Sequence, residues 1–230
     1  MTSTHRYLLL GAGDLARESA RILQDSAAAE GAHCEVVAYN DRVLGSPEFG
    51  RQCLSLEQAL EQCPPLEWKA LGCLGSPRLR ESMYARFRDV GYLFATAIHP
   101  DATVFADEIG PGCIVFPGAR LAIGSRLAED IVVNFNAGIG HDCLIGAHSN
   151  ISPGVQLGGH VHGGKRVVYG IGSSVLQGRR IEDDAVISAG SAVWSNVDSG
   201  VTMIGVPAVA RRMPGRKPVD SSNKAAACAS

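Results

Sequence analysis

One spacing constrains this chain more than anything else in it. Every sixth residue from Ile109 reads Ile109, Val115, Leu121, Leu127, Val133, Ile139, Ile145, Ile151, Leu157, Gly163, Tyr169, Val175, Ile181, Ile187, Val193. Thirteen of these fifteen are Leu, Ile or Val, and the two exceptions, Gly163 and Tyr169, are neighbours in the series. A strand repeats every second residue and a helix every 3.6, so a sustained period of six belongs to a solenoid. Six residues make one flat side of a triangular coil whose aliphatic side chain points inward and stacks on its copy in the next coil. Coils stacked at the strand spacing of about 4.8 Å make a prism roughly 24 Å tall from some ninety residues. Small residues two places before the aliphatic ones, such as Cys113, Ala119, Ser125, Ala137 and Cys143, are expected to fit tight corners. Ile98 and Val104 keep the spacing one residue out of phase, which predicts a slip between the first coil and the rest.

The first 96 residues read differently. RYLLLG (6–11), CEVVAYND (34–41), a run from Trp68 through WKALGCLG, and YLFAT (92–96) are strand-like. They alternate with helix-like segments at 14–29, 55–62 and from Ser76-Pro77 to Gly91. That alternation predicts a small parallel α/β unit of Rossmann-like type. Gly11-Ala12-Gly13-Asp14-Leu15-Ala16 matches G-x-G-x-x-A, which permits a tight turn and offers the N–H groups of a helix start to an anion. Asn40 and Asp41 end the second strand, where a polar side chain meets a ribose or a base. One such unit is half of a dinucleotide site, so a single nucleotide or a nucleotide-like part of a substrate suits it better than NAD. Gly11, Gly13, Asn40 and Asp41 are the candidate substrate-binding residues. Arg78 and Arg80 are expected on a solvated helix face. The expected division is therefore 1–96, 97–213 and a loose, polar tail at 214–230.

Composition narrows the partners. The net charge of −2 favours neither nucleic acid nor an anionic membrane, and no apolar run approaches the roughly 18 residues of a membrane span. The N-terminal apolar run is too short for a signal peptide, and seven scattered cysteines without a CxxC pair suit a reducing cytoplasm better than a disulfide framework or a thiolate metal site.

Within the repeat, His141-Asp142 stands out. A histidine gains nothing for the coil there, Asn134 and Asn136 precede it, and Gly159 falls one coil above it. A histidine beside an exposed backbone N–H can serve acyl transfer, as a base next to a donor for a carbonyl oxygen. With the repeats, IGHDCLIG, the SNIS at 149–152 and the closing VTMIGVPAVARRM (201–213) on the page, the chain resembles a bacterial hexapeptide-repeat sugar acetyltransferase family. That family holds the sialic acid O-acetyltransferases and the nucleotide-amino-sugar N-acetyltransferases. The resemblance implies a left-handed parallel β-helix after the Rossmann-like domain, a homotrimer, and acetyl-CoA bound between neighbouring β-helices with no metal. It makes His141 the general base, Asp142 the residue orienting it and Asn134 an active-site partner. Gly159 becomes a donor to the thioester oxygen, with Gly172, Gly190 and Ala192 along the pantetheine arm. The acceptor it implies is an amino group or hydroxyl of a sugar, a nucleotide-linked amino sugar being favoured over a sialic-acid-type hydroxyl. Two positions depart from the family: Gly140 stands where many relatives carry Glu, and Gly13-Asp14-Leu15 where the amino-sugar enzymes carry Ser-Gly-His. The competing readings are a metal enzyme of the γ-carbonic anhydrase kind using His141, His160 and His162, and a non-catalytic sensing or scaffold protein.

Overall fold

The computed structural model describes residues 3–40 and 54–211. Asp41 and residues 212–230, with the tail expectation, lie outside these. Strands β1 (Thr4–Leu10), β2 (His33–Tyr39) and β3 (Lys69–Gly72) form a parallel sheet in the order β2-β1-β3. Both faces of β1 are covered, which is why Leu8, Leu9 and Leu10 read as a continuous apolar run. Helix α1 (Asp14–Ala29) lies on one face; α2 (Leu56–Gln62) and α3 (Pro77–Asp89) lie on the other. Ser55 starts α2 with a reciprocal capping box to Gln58, and Ser76-Pro77 starts α3 with Pro in its first turn. The strand expected at 92–96 shrinks to one bridge, Phe94 to Ala70. The chain is captured instead by the next layer, where the Ala97 N–H donates to the Cys113 carbonyl at 2.8 Å.

From β4 (Ala97–Ile98) onward the chain is a parallel β-solenoid of about six coils with three faces. The first face carries Ala97–Ile98, Ile114–Val115, Val132–Val133 and the strands above them. The second runs from Thr103–Val104 to Ala192–Val193, and the third from Glu108–Ile109 to Arg180–Ile181. The slip is visible as register. Ile98 pairs with Val115 and Val104 with Leu121, a coil one residue shorter than the one linking Ile109 to Leu127. The aliphatic series is buried and stacked as expected. Its two exceptions compensate each other: a Cβ on Gly163 would meet the Tyr169 hydroxyl, so the tyrosine fills the space that glycine leaves. The small residues are placed slightly otherwise than expected. Cys113, Ala119, Ser125, Ala137 and Cys143 point inward, fully buried, and the corner itself is the residue before each. There the backbone takes positive φ at Gly112, Gly118, Gly124, Asp130, Asn136, Asp142, His148, Gly154 and onward at the same spacing.

Those corners form three vertical rows. Asn136, Gly154, Gly172 and Gly190 make the first, between the first and second faces. Gly124, Asp142, His160 and Gly178 make the second, and Asp130, His148, Arg166 and Asp184 the third. The N-terminal unit docks on the first face and the third corner. Leu9, Ile22 and Leu23 pack against Ile114, Phe116 and Val132, which point outward from the solenoid yet are buried by α1. Arg80 is not on a solvated face but 0% exposed, because α3 presses it into the third corner. It donates to Asp130 Oδ2 (2.9 Å), to the carbonyls of Asp130 (3.0 Å) and His148 (2.9 Å), and to Asn150 Oδ1 (2.7 Å). His148 adds Nδ1 to the same Asp130 oxygen at 2.8 Å. Nearer the rim, Arg78 reaches Asp184 (2.7 Å), and Arg166 joins Asp184 to Glu81 of α3.

Candidate functional site

The second corner holds the candidate base. His141 and Asp142 are consecutive turn residues, and the left-handed backbone at Asp142 (φ 56°) turns its side chain back beside the imidazole. His141 Nδ1 lies 2.8 Å from Asp142 Oδ2, both side chains about half exposed. That hydrogen bond is the main reason the Asp142 carboxyl sits below the usual carboxylate range. It also fixes the ring so that Nε2 faces Gly159. A Cβ at 159 would overlap the imidazole, at 2.6 Å from Cε1, so this glycine makes the room in which the base sits. The Gly159 N–H has no hydrogen-bond partner among the described residues.

Gly140 has a local explanation. A Cβ there would fall 2.6 Å from the Gly159 nitrogen and 2.8 Å from the Leu157 carbonyl oxygen, because the Gly158-Gly159 backbone presses onto it. A glutamate at this position requires that coil to move. Asp142 in turn depends on Gly124 below it, where a Cβ would overlap its carboxylate.

One residue of this corner entered the sequence reading only as a possible metal ligand and not with the catalytic set. His160 stands directly over Asp142, Nε2 to Oδ2 3.8 Å, and its ring meets that of His141 edge to face at 4.9 Å between centroids. The 18-residue coil that puts Gly159 over His141 also puts His160 over Asp142, so the signal was present. His162 is not part of the cluster. It lies outward on the third face, and the only histidine–acid cluster with metal-like spacing among the described residues is His141, Asp142 and His160. The three-imidazole set considered for a carbonic-anhydrase-type metal is therefore not formed. His148, next along the chain, is buried in the third corner.

The other candidates fall elsewhere. Asn134, Gly172 and Gly190 lie on the first corner, across a full side of the prism from His141, and Ala192 lies on that side itself, in the column of Gly138. Asn134 Oδ1 accepts the N–H of Phe135 at 2.8 Å. Around the second corner the surface is apolar: Ile123, the residue below His141, is 71% exposed, and Leu176 and Trp194 above it are 55% and 58% exposed.

At the ends of β1 and β2, Gly11 and Asn40 line a cleft of about 260 Å³. Gly11 is the glycine the turn requires, with φ 137° and a would-be Cβ 2.6 Å from the Cys73 carbonyl. Gly13 needs no such exemption: it caps α1 with φ −89°, and a Cβ there would meet nothing within 4 Å. The far wall comes from α3 through Leu79, Ser82, Met83 and Arg86, residues the sequence did not single out. No helix is long and apolar enough to cross a membrane among the described residues.

Comparison with known proteins puts these features in a lineage. No protein-family profile matches the chain. A serine acetyltransferase of Staphylococcus epidermidis is 30% identical over 112 residues, 44% of this chain and 53% of the relative. The chain spans about half the length or less of the curated relatives it matches. Whole-chain likeness comes from solved structures. The acetyltransferase domain of PglB from Neisseria gonorrhoeae superposes with a TM-score of 0.81 at 30% identity, over 90% of this chain and all of that one, and the same domain is known with acetyl coenzyme A. PerB from Caulobacter crescentus, in complex with CoA and GDP-perosamine, superposes with a TM-score of 0.78 at 28% identity, over 90% of this chain and 97% of that one. Solenoid, docked N-terminal unit and paired histidine together with this likeness show that the chain belongs to the bacterial hexapeptide-repeat sugar acetyltransferases.

Proposed function

We propose that the protein moves an acetyl group from acetyl-CoA directly to an amino group or hydroxyl of a sugar, a nucleotide-linked amino sugar being the favoured acceptor. The observation that carries this is the His141 ring, held at Nδ1 by Asp142 while Nε2 opens toward a glycine whose N–H is unspent. In this reading Nε2 takes the proton of the attacking amine or hydroxyl, and Gly159 N–H donates to the thioester oxygen as negative charge builds there. The imidazolium then returns its proton to the departing CoA sulfur. The exposed Ile123, Leu176 and Trp194 provide an apolar surface for the arm of the donor.

Asn134, Gly172 and Gly190 belong to a different corner from His141, so one chain cannot join them. A closed ring of copies, each presenting its first corner to the second corner of the next, would; we propose the homotrimer. The cleft between β1, β2 and α3 is the proposed acceptor site, where Gly11 and Asn40 border the start of α1 and Arg86 supplies a cation. PerB, solved with GDP-perosamine, supports a nucleotide-linked sugar as the acceptor. A left-handed winding, a Rossmann-like N-terminal unit and residence in the cytoplasm belong to the same proposal. The test is release of free CoA from acetyl-CoA, with mass spectrometry of the products from a panel of nucleotide-linked amino sugars, free amino sugars and sialic acids. Acceptor-independent or absent CoA release across the panel would refute it.

A further inference from the structure

His160 has no place in the transfer just described, yet it is fixed over the base. Its N–H donates to the His141 carbonyl at 2.8 Å, and its backbone, like that of Asp142, is held in the left-handed corner conformation (φ 58° and 56°). One donor atom from each of His141, Asp142 and His160 lies within 4.8 Å of the other two, and all three side chains are reachable from solvent. We propose that these three residues form a binding site for a transition-metal cation of the zinc class, and that its occupancy silences the base.

The chemistry of the donors selects the cation. Two imidazole nitrogens and one carboxylate oxygen suit zinc, which takes such ligands at about 2.0–2.2 Å in a tetrahedron. They do not suit magnesium or calcium, which want oxygen alone. A tetrahedron of that size places its donors roughly 3.3 Å apart. His141 Nδ1 and Asp142 Oδ2, now 2.8 Å apart, open slightly, and His160 Nε2 and Asp142 Oδ2, now 3.8 Å apart, close by a similar amount. The donors of His141 and His160, within 4.8 Å of each other, draw together as well, and the fourth position is left to water or an anion. The silencing half rests on the proposed role of His141. A cation on Nδ1 takes the place of the proton shared with Asp142; the neutral ring then carries its proton on Nε2, which has no lone pair left for the substrate's proton.

Calorimetry with zinc chloride on chelator-stripped protein decides the binding. His160→Asn is the informative variant because Asn tolerates the left-handed backbone; His162→Ala, a half-buried histidine outside the cluster, is the control. Saturable binding of one zinc per chain is expected in the wild type and in His162→Ala, with none for magnesium. His160→Asn is expected to weaken it at least as much as loss of an outer metal partner does, roughly 10–100-fold. No saturable binding, or equal affinity in His160→Asn, overturns the site. Transfer rates with and without zinc, each protein against its own metal-free rate, decide the silencing: wild type is suppressed at a zinc concentration that spares His160→Asn, and an undiminished zinc-loaded wild type overturns it. If the metal-free wild type acetylates nothing, the transferase reading has failed, and calorimetry still decides the metal site.

Discussion

Two corners of the same prism carry a histidine and an aspartate at one distance. His141 Nδ1 to Asp142 Oδ2 is 2.8 Å, and His148 Nδ1 to Asp130 Oδ2 is also 2.8 Å. Their surroundings are opposite. The first pair is half exposed, with Nε2 of its histidine turned to Gly159; in the second, the side chains are 8% and 0% exposed and the buried Arg80 pairs with the same carboxylate. The two carboxyls shift in opposite directions: the His141 hydrogen bond holds Asp142 below its ordinary range, while burial pushes Asp130 up against the pull of His148 and Arg80. A short His–Asp contact therefore marks neither a base nor a strut. What decides is whether the ring's second nitrogen faces substrate space, and whether the carboxylate has given up water.

The sharpest way to separate the corners is to delete each histidine. His141→Ala is expected to lower turnover by roughly 10²–10⁴, the worth of a positioned base, and to leave the denaturation midpoint where it was, since an exposed ring leaves no core cavity. His148→Ala is expected to do the reverse, lowering the midpoint while the folded fraction keeps its turnover. Near-wild-type rates in His141→Ala with saturating acceptor would break the comparison.

Arg80→Met comes next. It leaves the Asp130 carboxylate buried without its cation, and breaking such a pair costs about 3–5 kcal/mol. The loss should depend on pH with a definite sign. Without Arg80 the folded-state value of Asp130 rises further above its unfolded one, so the protonated fold is tolerated at low pH and stability is lost as pH rises through the folded value. Urea titrations at pH 5 and pH 8 are expected to show the larger deficit at pH 8; an equal deficit would mean that Asp130 does not carry the charge Arg80 answers.

These corners also show what the sequence exposes and what it hides. The six-residue series reveals the inward position because every coil repeats it, and the exceptions Gly163 and Tyr169 are read only once their side chains are seen to share one space. The docking of the N-terminal unit left a signal that went unread: Ile114-Val115 and Val132-Val133 double the aliphatic residue, and the outward member is apolar because α1 covers it. Arg80 left none. A cation on a helix looks solvated until the helix's partner supplies Asp130, Asn150 and two carbonyls, and all of those are 50 or more residues away in the chain. His141 was legible because a charged pair interrupts an apolar pattern. The cleft wall on α3 was not, because Ser82, Met83 and Arg86 are ordinary helix residues.

Asp142→Asn probes the exposed pair itself. The amide keeps the size and tolerates the positive φ, but accepts a weaker hydrogen bond from Nδ1. Because water can replace it at a half-exposed position, the loss in turnover is expected on the order of tenfold, smaller than for His141→Ala, with no change in stability. Steady-state rates at saturating substrates measure it, and a loss equal to that of His141→Ala would mean that Asp142 does more than hold the ring.

The smallest effect falls on the half of the molecule that the buried corner holds in place. Arg80 and the cleft residues Ser82, Met83 and Arg86 share helix α3, so the third corner fixes one wall of the proposed acceptor site while the proposed base stands at the second corner. Gly13→Val tests that division cleanly. Gly11 cannot be used, since its positive φ and the nearby Cys73 carbonyl would confound binding with folding. At Gly13 an added Cβ meets nothing within 4 Å beyond its chain neighbours, and the substitution costs only a modest helix-cap preference. Whatever it obstructs is ligand at the start of α1. The Michaelis constant for the sugar is expected to rise by less than about tenfold, with that for acetyl-CoA and the turnover at saturation unchanged. Kinetics with both substrates varied read the outcome directly. A rise confined to acetyl-CoA would move the donor to this unit and undo the division of labour between the two corners, and no change in either constant would leave the turn at Gly11–Gly13 without a ligand.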